Sequence, residues 1–308
     1  MIDANLLFTR AQPGSFWGRV LQFPLLRIFV AALFMVPWLL FHNRVIGDLL
    51  ASYGGPLRAL LVYADILLTI GIMLWLYHLY TRWIEKREAH EISLKNSLPE
   101  LGIGYLISFV LVGGMVLLLV VLGYYRIVEA GALQTVADAL FRFGIGAFLQ
   151  VLFFRLILFR LGEELLGTWL AWVGTAAVFG IAHAGNENAT LWTTTALILG
   201  DILLLSAFIY TRRLWLVWGM HAGWNFFQDG IFGMPNSGIS SFDSWITPSI
   251  DGPAWITGGA FGIEASVIAL AASVAVGLVI LNKAAQKGQF VRPLWRRSRT
   301  DALSTPAA

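Results

Sequence analysis

Eight apolar runs of helical length constrain this chain more than any other feature, at about 24–41, 57–80, 101–123, 139–160, 170–187, 191–210, 213–232 and 260–281. A helix of ~20 residues rises ~30 Å, enough to cross the hydrocarbon core of a bilayer, whereas strands of an outer-membrane barrel are shorter and alternate in polarity. Charge agrees with the first reading. Only 13% of the 308 residues are charged and the mean hydropathy is +0.73, against about 25% charged residues in an ordinary soluble domain. The 13 Trp and 21 Phe suit a chain that meets lipid and its interfaces. These features exclude an ordinary soluble enzyme. The absence of Cys excludes disulfides, thiolate metal sites and cysteine nucleophiles. The expected fold is all-α, a polytopic membrane bundle of about eight transmembrane helices.

The first run follows a segment containing Arg10 and Arg19, and His42-Asn43-Arg44 comes after it instead of a small-residue cleavage site. It therefore reads as a retained span. With the N-terminus in the cytoplasm, the inner segments hold Arg10, Arg19, Arg82, Lys86, Arg87, Lys95, Arg160, Arg212, Arg213, Lys283, Lys287, Arg292, Arg296, Arg297 and Arg299, which is 15 of the 21 basic residues. The outer loops keep Arg44, Arg58 and Arg126, while Arg27, Arg142 and Arg155 lie within spans. That bias predicts an integral protein of a bacterial-type plasma membrane with both termini cytoplasmic. The net charge of +3 is too small to argue for nucleic acid, and the basic tail 283–308 suits anionic headgroups of the bilayer. No internal repeat supports an inverted-repeat transporter. Three regions are expected: three spans with their loops in 1–138, a motif-bearing core in 139–232, and the last span with the basic tail in 233–308.

Polar groups kept at membrane depth are costly, so they mark the chemistry. One stretch is Gln150-Val151-Leu152-Phe153-Phe154-Arg155, followed by Arg160 and Glu163-Glu164. A second is Phe179 to Asn188, containing His183 and Glu187; a third is His221-Ala-Gly-Trp-Asn225, with Asp229 beyond it. His221 and Asn225 are i and i+4, on one helix face about 6 Å apart. The bland alternative is an interhelical hydrogen-bond cluster that fastens the bundle. His183 lies about 16 Å deep if its span starts near Trp172, and His221 lies about 12 Å deep counted from Arg213, so the two rings can meet. A start at Leu166 would instead carry His183 toward the far face. The segment after His183 is too rich in Gly and Asn to continue through lipid as a helix, and it reads as cavity lining or as an external loop.

Phe179-x-x-x-His183 and His221-x-x-x-Asn225 resemble the second and third motifs of the CPBP family. Its members are the intramembrane endopeptidases of the type II CAAX-prenyl-protease and bacteriocin-processing (Abi) group. Gly167-Thr168-Trp169-Leu170-Ala171 is also similar to bacterial members, and the resemblance covers roughly residues 140–230. The family's first motif is Glu-Glu-x-x-x-Arg. Laid on Glu163-Glu164, it would put Thr168 at the Arg position, too close to Phe179. Laid on Arg155, it keeps the family's spacing and puts Gln150 and Val151 where the glutamates belong. Glu163 and Glu164 then match acidic residues at the cytoplasmic end of the same helix.

The resemblance implies a membrane peptide or protein substrate and hydrolysis by an activated water near the membrane surface. The first glutamate would deprotonate that water while the two His and the Asn orient it and stabilise the oxyanion. His183, His221, Asn225, Arg155 and Gln150 are then the site residues, with Gln150 at the substituted base position. Gln150 can orient water but cannot take its proton, and a general base is worth about 10²–10⁴ in rate. The alternative is a non-catalytic relative, a pseudoprotease that binds membrane peptides. Glu187, at i+4 from His183, is the candidate replacement base; Asp65, Asp201 and Glu264 are further carboxylates in or beside spans. No cofactor is expected, the alternative being a divalent metal at His183 and His221 with Glu187 as a third ligand. Gly258-x-x-x-Gly262 suggests close helix packing as the last span begins. Arg27, Asp65, Arg142 and Asp201 are what a transporter or channel reading rests on.

Overall fold

The computed structural model of the chain describes residues 2–9, 11, 13–239 and 243–297, so Arg10, Arg299 and the end of the basic tail lie outside the described residues. Six helices are long and apolar enough to cross a membrane. They are α1 Pro24–Ala51, α2 Gly55–Trp83, α3 Ser97–Val121, α4 Leu133–Ala182, α5 Leu191–Thr211 and, last in the chain, Val267–Gln286. Between the last two, α6 Leu214–Asn225 continues as a wide π turn through Phe226–Ile231; Val267–Gln286 is then α7. The chain is an all-α integral membrane bundle. Strand pairing among the described residues is confined to an antiparallel ribbon of β1 Tyr125–Ala130 with β2 Ile246–Ile250 and an isolated bridge between Asn236 and Ile239.

The helix α4 joins two of the expected runs and is broken between them at Gly167, whose φ of 74° and ψ of 169° fall outside the helical region. Only glycine takes that conformation without strain. The room is also taken: a Cβ there would sit 2.7 Å from the Pro293 nitrogen. The C-terminal tail threads into the break, with the Thr168 amide donating to Val291 O at 3.0 Å and the Val291 amide to Thr168 Oγ1 at 2.8 Å. The limb after the break starts at 168, nearer the Leu166 start than the Trp172 one. It stops at Ala182, short of the expected 187, because the Gly- and Asn-rich segment that follows turns away.

The last span also begins later than expected. Ser266 caps α7 by accepting the Ala269 amide at 3.0 Å, and Gly258 and Gly262 lie ahead of it with positive φ of 85° and 123°. The expected helix contact at Gly258 and Gly262 is thus an irregular loop. Close helix packing occurs on α6 instead. A Cβ on Gly219 would lie 2.2 Å from Leu101 O, and one on Gly223 would lie 3.0 Å from Ser108 Cβ, so α3 presses against the two glycines that bracket His221.

The two ends of the described chain meet. The Ile2 amide donates to Thr211 O at 3.1 Å, and Gln289 Nε2 donates to Ile2 O at 2.9 Å. Beside them lies a buried belt of ion pairs. Glu85 meets Arg27 and Arg160 at 2.9 Å and Arg87 at 2.7 Å. Arg87 also meets Glu91 at 2.7 Å, Arg27 meets Glu164 at 2.5 Å, and Arg212 holds Glu163. Thus Glu163 and Glu164 fasten helices together at this end. Three of the four polar residues behind the transport reading are tied up in the same way: Arg27 in the belt, Asp65 with His42 at 2.7 Å, and Asp201 with Arg155.

Candidate active site

A cavity of about 430 Å³ opens among α4, α5, α6 and α7. Gln150, His183, His221 and Asn225 all line it, as do Phe179 and Asn186 from the stretch that carries His183. Helical spacing explains the convergence. Gln150 comes from the first limb of α4, Phe179 and His183 from the end of its second limb, and His221 and Asn225 from one face of α6. Just past Gln150 and just past Asn225 the helices widen into π turns, Leu152–Phe159 and Phe226–Ile231. Such turns recur at functional sites because they shift the side-chain register within a helix.

Phe179 sits at the middle of the constellation. Its ring centroid is 4.6 Å from that of His183 and 6.2 Å from that of His221, so the two imidazoles can be no more than about 11 Å apart. His183 Nδ1 lies 2.7 Å from Phe179 O. A carbonyl only accepts, so Nδ1 carries the proton and Nε2 of the neutral ring is left to accept from a water. His221 is nearly buried, at 8% exposure. Gln150 Oε1 is buried and accepts no hydrogen bond from a described residue. A native buried acceptor of this kind has its donor supplied from elsewhere, by water or by a ligand.

Arg155 does not line the cavity. It lies behind the wall, bonded through both terminal nitrogens to Asp201, with Nη1 to Oδ2 at 3.0 Å, and its Cζ is 5.7 Å from the Phe179 ring. It positions Phe179 and Asp201 rather than touching anything in the cavity. Val151 points into the hydrophobic core at 1% exposure, so of the pair Gln150-Val151 only Gln150 faces the site. Glu187 is exposed and is not part of the lining. Asp229 is buried one turn beyond Asn225, where Ser244 Oγ donates to it at 3.2 Å. No group of three or more His, Cys, Asp or Glu among the described residues is placed to hold a metal ion.

Sequence reasoning did not place five contributors to this wall at the site: Arg142, Asp201, Glu264 and the loop residues Asn236 and Ser237. Two of them carried a signal. Asp201 and Glu264 are each the single charged residue in an apolar run, and a lone carboxylate in such a run marks a protein-lined interior. Nothing in the sequence foretold Asn236 and Ser237, which a loop far from the motifs folds over the cavity.

Residues 132–227 match the model of the family described as Type II CAAX prenyl endopeptidase Rce1-like. That segment is of the CPBP family. The matched segment runs from just ahead of α4 to just past Asn225 and contains Gln150, Arg155, His183 and His221. No curated protein and no solved structure matches the chain. The CPBP membership carries the coarse function, a CAAX-protease-like membrane endopeptidase acting on a membrane-associated peptide.

Proposed function

We propose that this CPBP-family protein hydrolyses a peptide bond near the membrane surface with a water held between His183, His221 and Asn225. The observation that carries the reading is the convergence of those three residues and Gln150 on one cavity around Phe179. In that geometry His183 Nε2 accepts from the attacking water. Asn225 Nδ2 and a ring nitrogen of His221 donate to the carbonyl oxygen as it becomes an oxyanion, in a site where low dielectric strengthens each bond. Gln150 orients the water and does not deprotonate it. Position 150 itself therefore supplies no base.

Gln150→Glu tests this. The variant should raise cleavage of a membrane peptide by up to about 10²–10⁴. Val151→Glu should not help, because its side chain enters the core and an unpaired carboxylate there stays protonated or destabilises the fold. If neither the wild type nor Gln150→Glu cuts while the cavity still binds a peptide, the pseudoprotease reading replaces this one. The substitution at 150 and 151 favours that second reading. Unchanged cleavage in a chelator separates a water-only site from one with a metal at His183 and His221.

The orientation proposed is both termini cytoplasmic. The basic split supports the side, and the contact of Gln289 with Ile2 supports a common face for the two ends. A reporter fused after residue 285 should read cytoplasmic.

A further inference from the structure

We propose that Glu264 supplies the carboxylate base that Gln150 cannot, which rests on the hydrolytic reading above. Two carboxylates line the cavity, Asp201 and Glu264. Asp201 gives both oxygens to Arg155, so it is neutralised and held. Glu264 is held instead by amide donors. Its oxygens accept from Gln228 Nε2 and, at 2.5 Å, from the Ser237 amide. Gln228 is in turn fixed by Trp224, whose Nε1 donates to Gln228 Oε1 at 2.7 Å.

The backbone is shaped around this carboxylate. Gly262 takes a φ of 123°, and a Cβ there would lie 2.6 Å from Glu264 Oε2 and 2.1 Å from Pro235 O. Only glycine lets the chain close so tightly on the Glu264 and Gln228 pair. The loop 258–266 is thereby spent on holding one acid against the cavity wall. Its register suits the role. Gln228 follows Asn225 by three residues within the π turn, and the acid it holds lines the same cavity as Asn225, His183 and His221, where a water can join them.

The step balances without a co-reactant. The water oxygen bonds to the scissile carbonyl carbon while one of its protons passes to a Glu264 oxygen. The C–N bond then breaks as Glu264 returns that proton to the leaving nitrogen. Glu264 lies ahead of α7, outside the spanning segment, and burial pushes its carboxyl up to about 7 against the pull of its hydrogen bonds. The titratable and charged groups that share its cavity are Arg142, Asp201, His183 and His221. Arg155 is committed to Asp201, and the acidic neighbours of Arg142 are Asp229, Asp138 and Asp243.

The experiment uses the full chain in lipid nanodiscs and an internally quenched transmembrane peptide, with and without a prenylated cysteine. Wild type, Glu264→Gln, Gln150→Glu and the double variant are compared across pH. A base must be ionised, so wild-type kcat/KM should rise with pH through about 7. Glu264→Gln should lower it at least ~10²-fold and remove that limb, and adding Gln150→Glu to it should restore cleavage. Recovery in the double variant shows that Glu264→Gln still folds. Wild-type rates and pH profile in Glu264→Gln, or a wild type that is inert while Gln150→Glu cuts, would overturn the role of Glu264 and leave the hydrolytic reading standing. Failure of every form to cut either peptide would instead remove the hydrolytic reading and the base with it.

Discussion

Where Ile2 meets Gln289, Arg27, Arg87, Arg160 and Arg212 are buried against Glu85, Glu91, Glu163 and Glu164, and every one of these charges has a partner of opposite sign. Around the cavity the terms are reversed. Gln150 Oε1 accepts nothing from the described residues, His183 Nε2 is left over once Nδ1 has bonded to Phe179 O, and Glu264 is held by amide donors. Both regions bury polar groups in a chain that is otherwise apolar. In the belt the partners are internal, so the groups lock helices and the tail together. In the cavity some polar atoms have no partner among the described residues, so the site can take one from water or substrate. The contrast separates groups that hold the fold from groups kept ready for chemistry.

Four substitutions would break or sharpen that contrast, starting with the largest effect. Glu85→Ala leaves three guanidiniums in the belt without their common partner, and breaking a buried pair costs about 3–5 kcal/mol. The variant should insert poorly or unfold at a much lower temperature in detergent, and a wild-type melting curve would break the comparison. The same carboxylate sets an acid limit. Burial raises its pKa, but Arg160, Arg87 and Arg27 outweigh that and hold it at about 2, below its ordinary 4.5. Its contribution is therefore complete above pH 4.5 and fades as pH falls toward 2, which acid melting curves should follow.

His221→Ala comes next. Loss of one oxyanion donor should lower kcat/KM by about 10²–10³ while the melting temperature stays close to wild type, because His221 holds no helix in place. A large loss of stability instead would move His221 into the structural class. Arg155→Lys is smaller and mixed. The charge near Asp201 survives and the two-pronged contact does not, so a fall of roughly 1–2 kcal/mol in stability should accompany a modest rise in KM as Phe179 loosens. The smallest effect belongs to Gln150→Leu. Removing a buried acceptor without a protein donor should leave stability unchanged or raise it by up to about 1 kcal/mol, with peptide cleavage lost. A clear destabilisation would show that Gln150 is structural after all.

Much of the site was legible from the chain because the cost of polar groups in lipid does not depend on tertiary detail. Gln150, His183, His221 and Asn225 stood out on that ground, and their spacing already resembled the CPBP motifs. Arg155 was legible as a motif residue but not as a wall-builder, since its partner Asp201 is remote in sequence. Glu187 lies off the cavity because its spacing from His183 counted only if the helix continued, and the helix ends at Ala182. Glu264 was visible as a lone charge, but its glycines were read as a helix contact.

The sequence by itself determined that this is a helical membrane protein, which residues are too polar for lipid, and which motifs they compose. Those follow from hydropathy and spacing, which are local properties of the chain. Tertiary structure alone decided which polar groups pair and which stay available. It put Val151 in the core and Gln150 in the cavity, one residue apart, and it broke α4 at Gly167 for the tail to enter. It also brought Glu264 to the wall that Glu187 does not reach. Pairing is a matter of distance between helices, and hydropathy and spacing along one chain do not encode that distance.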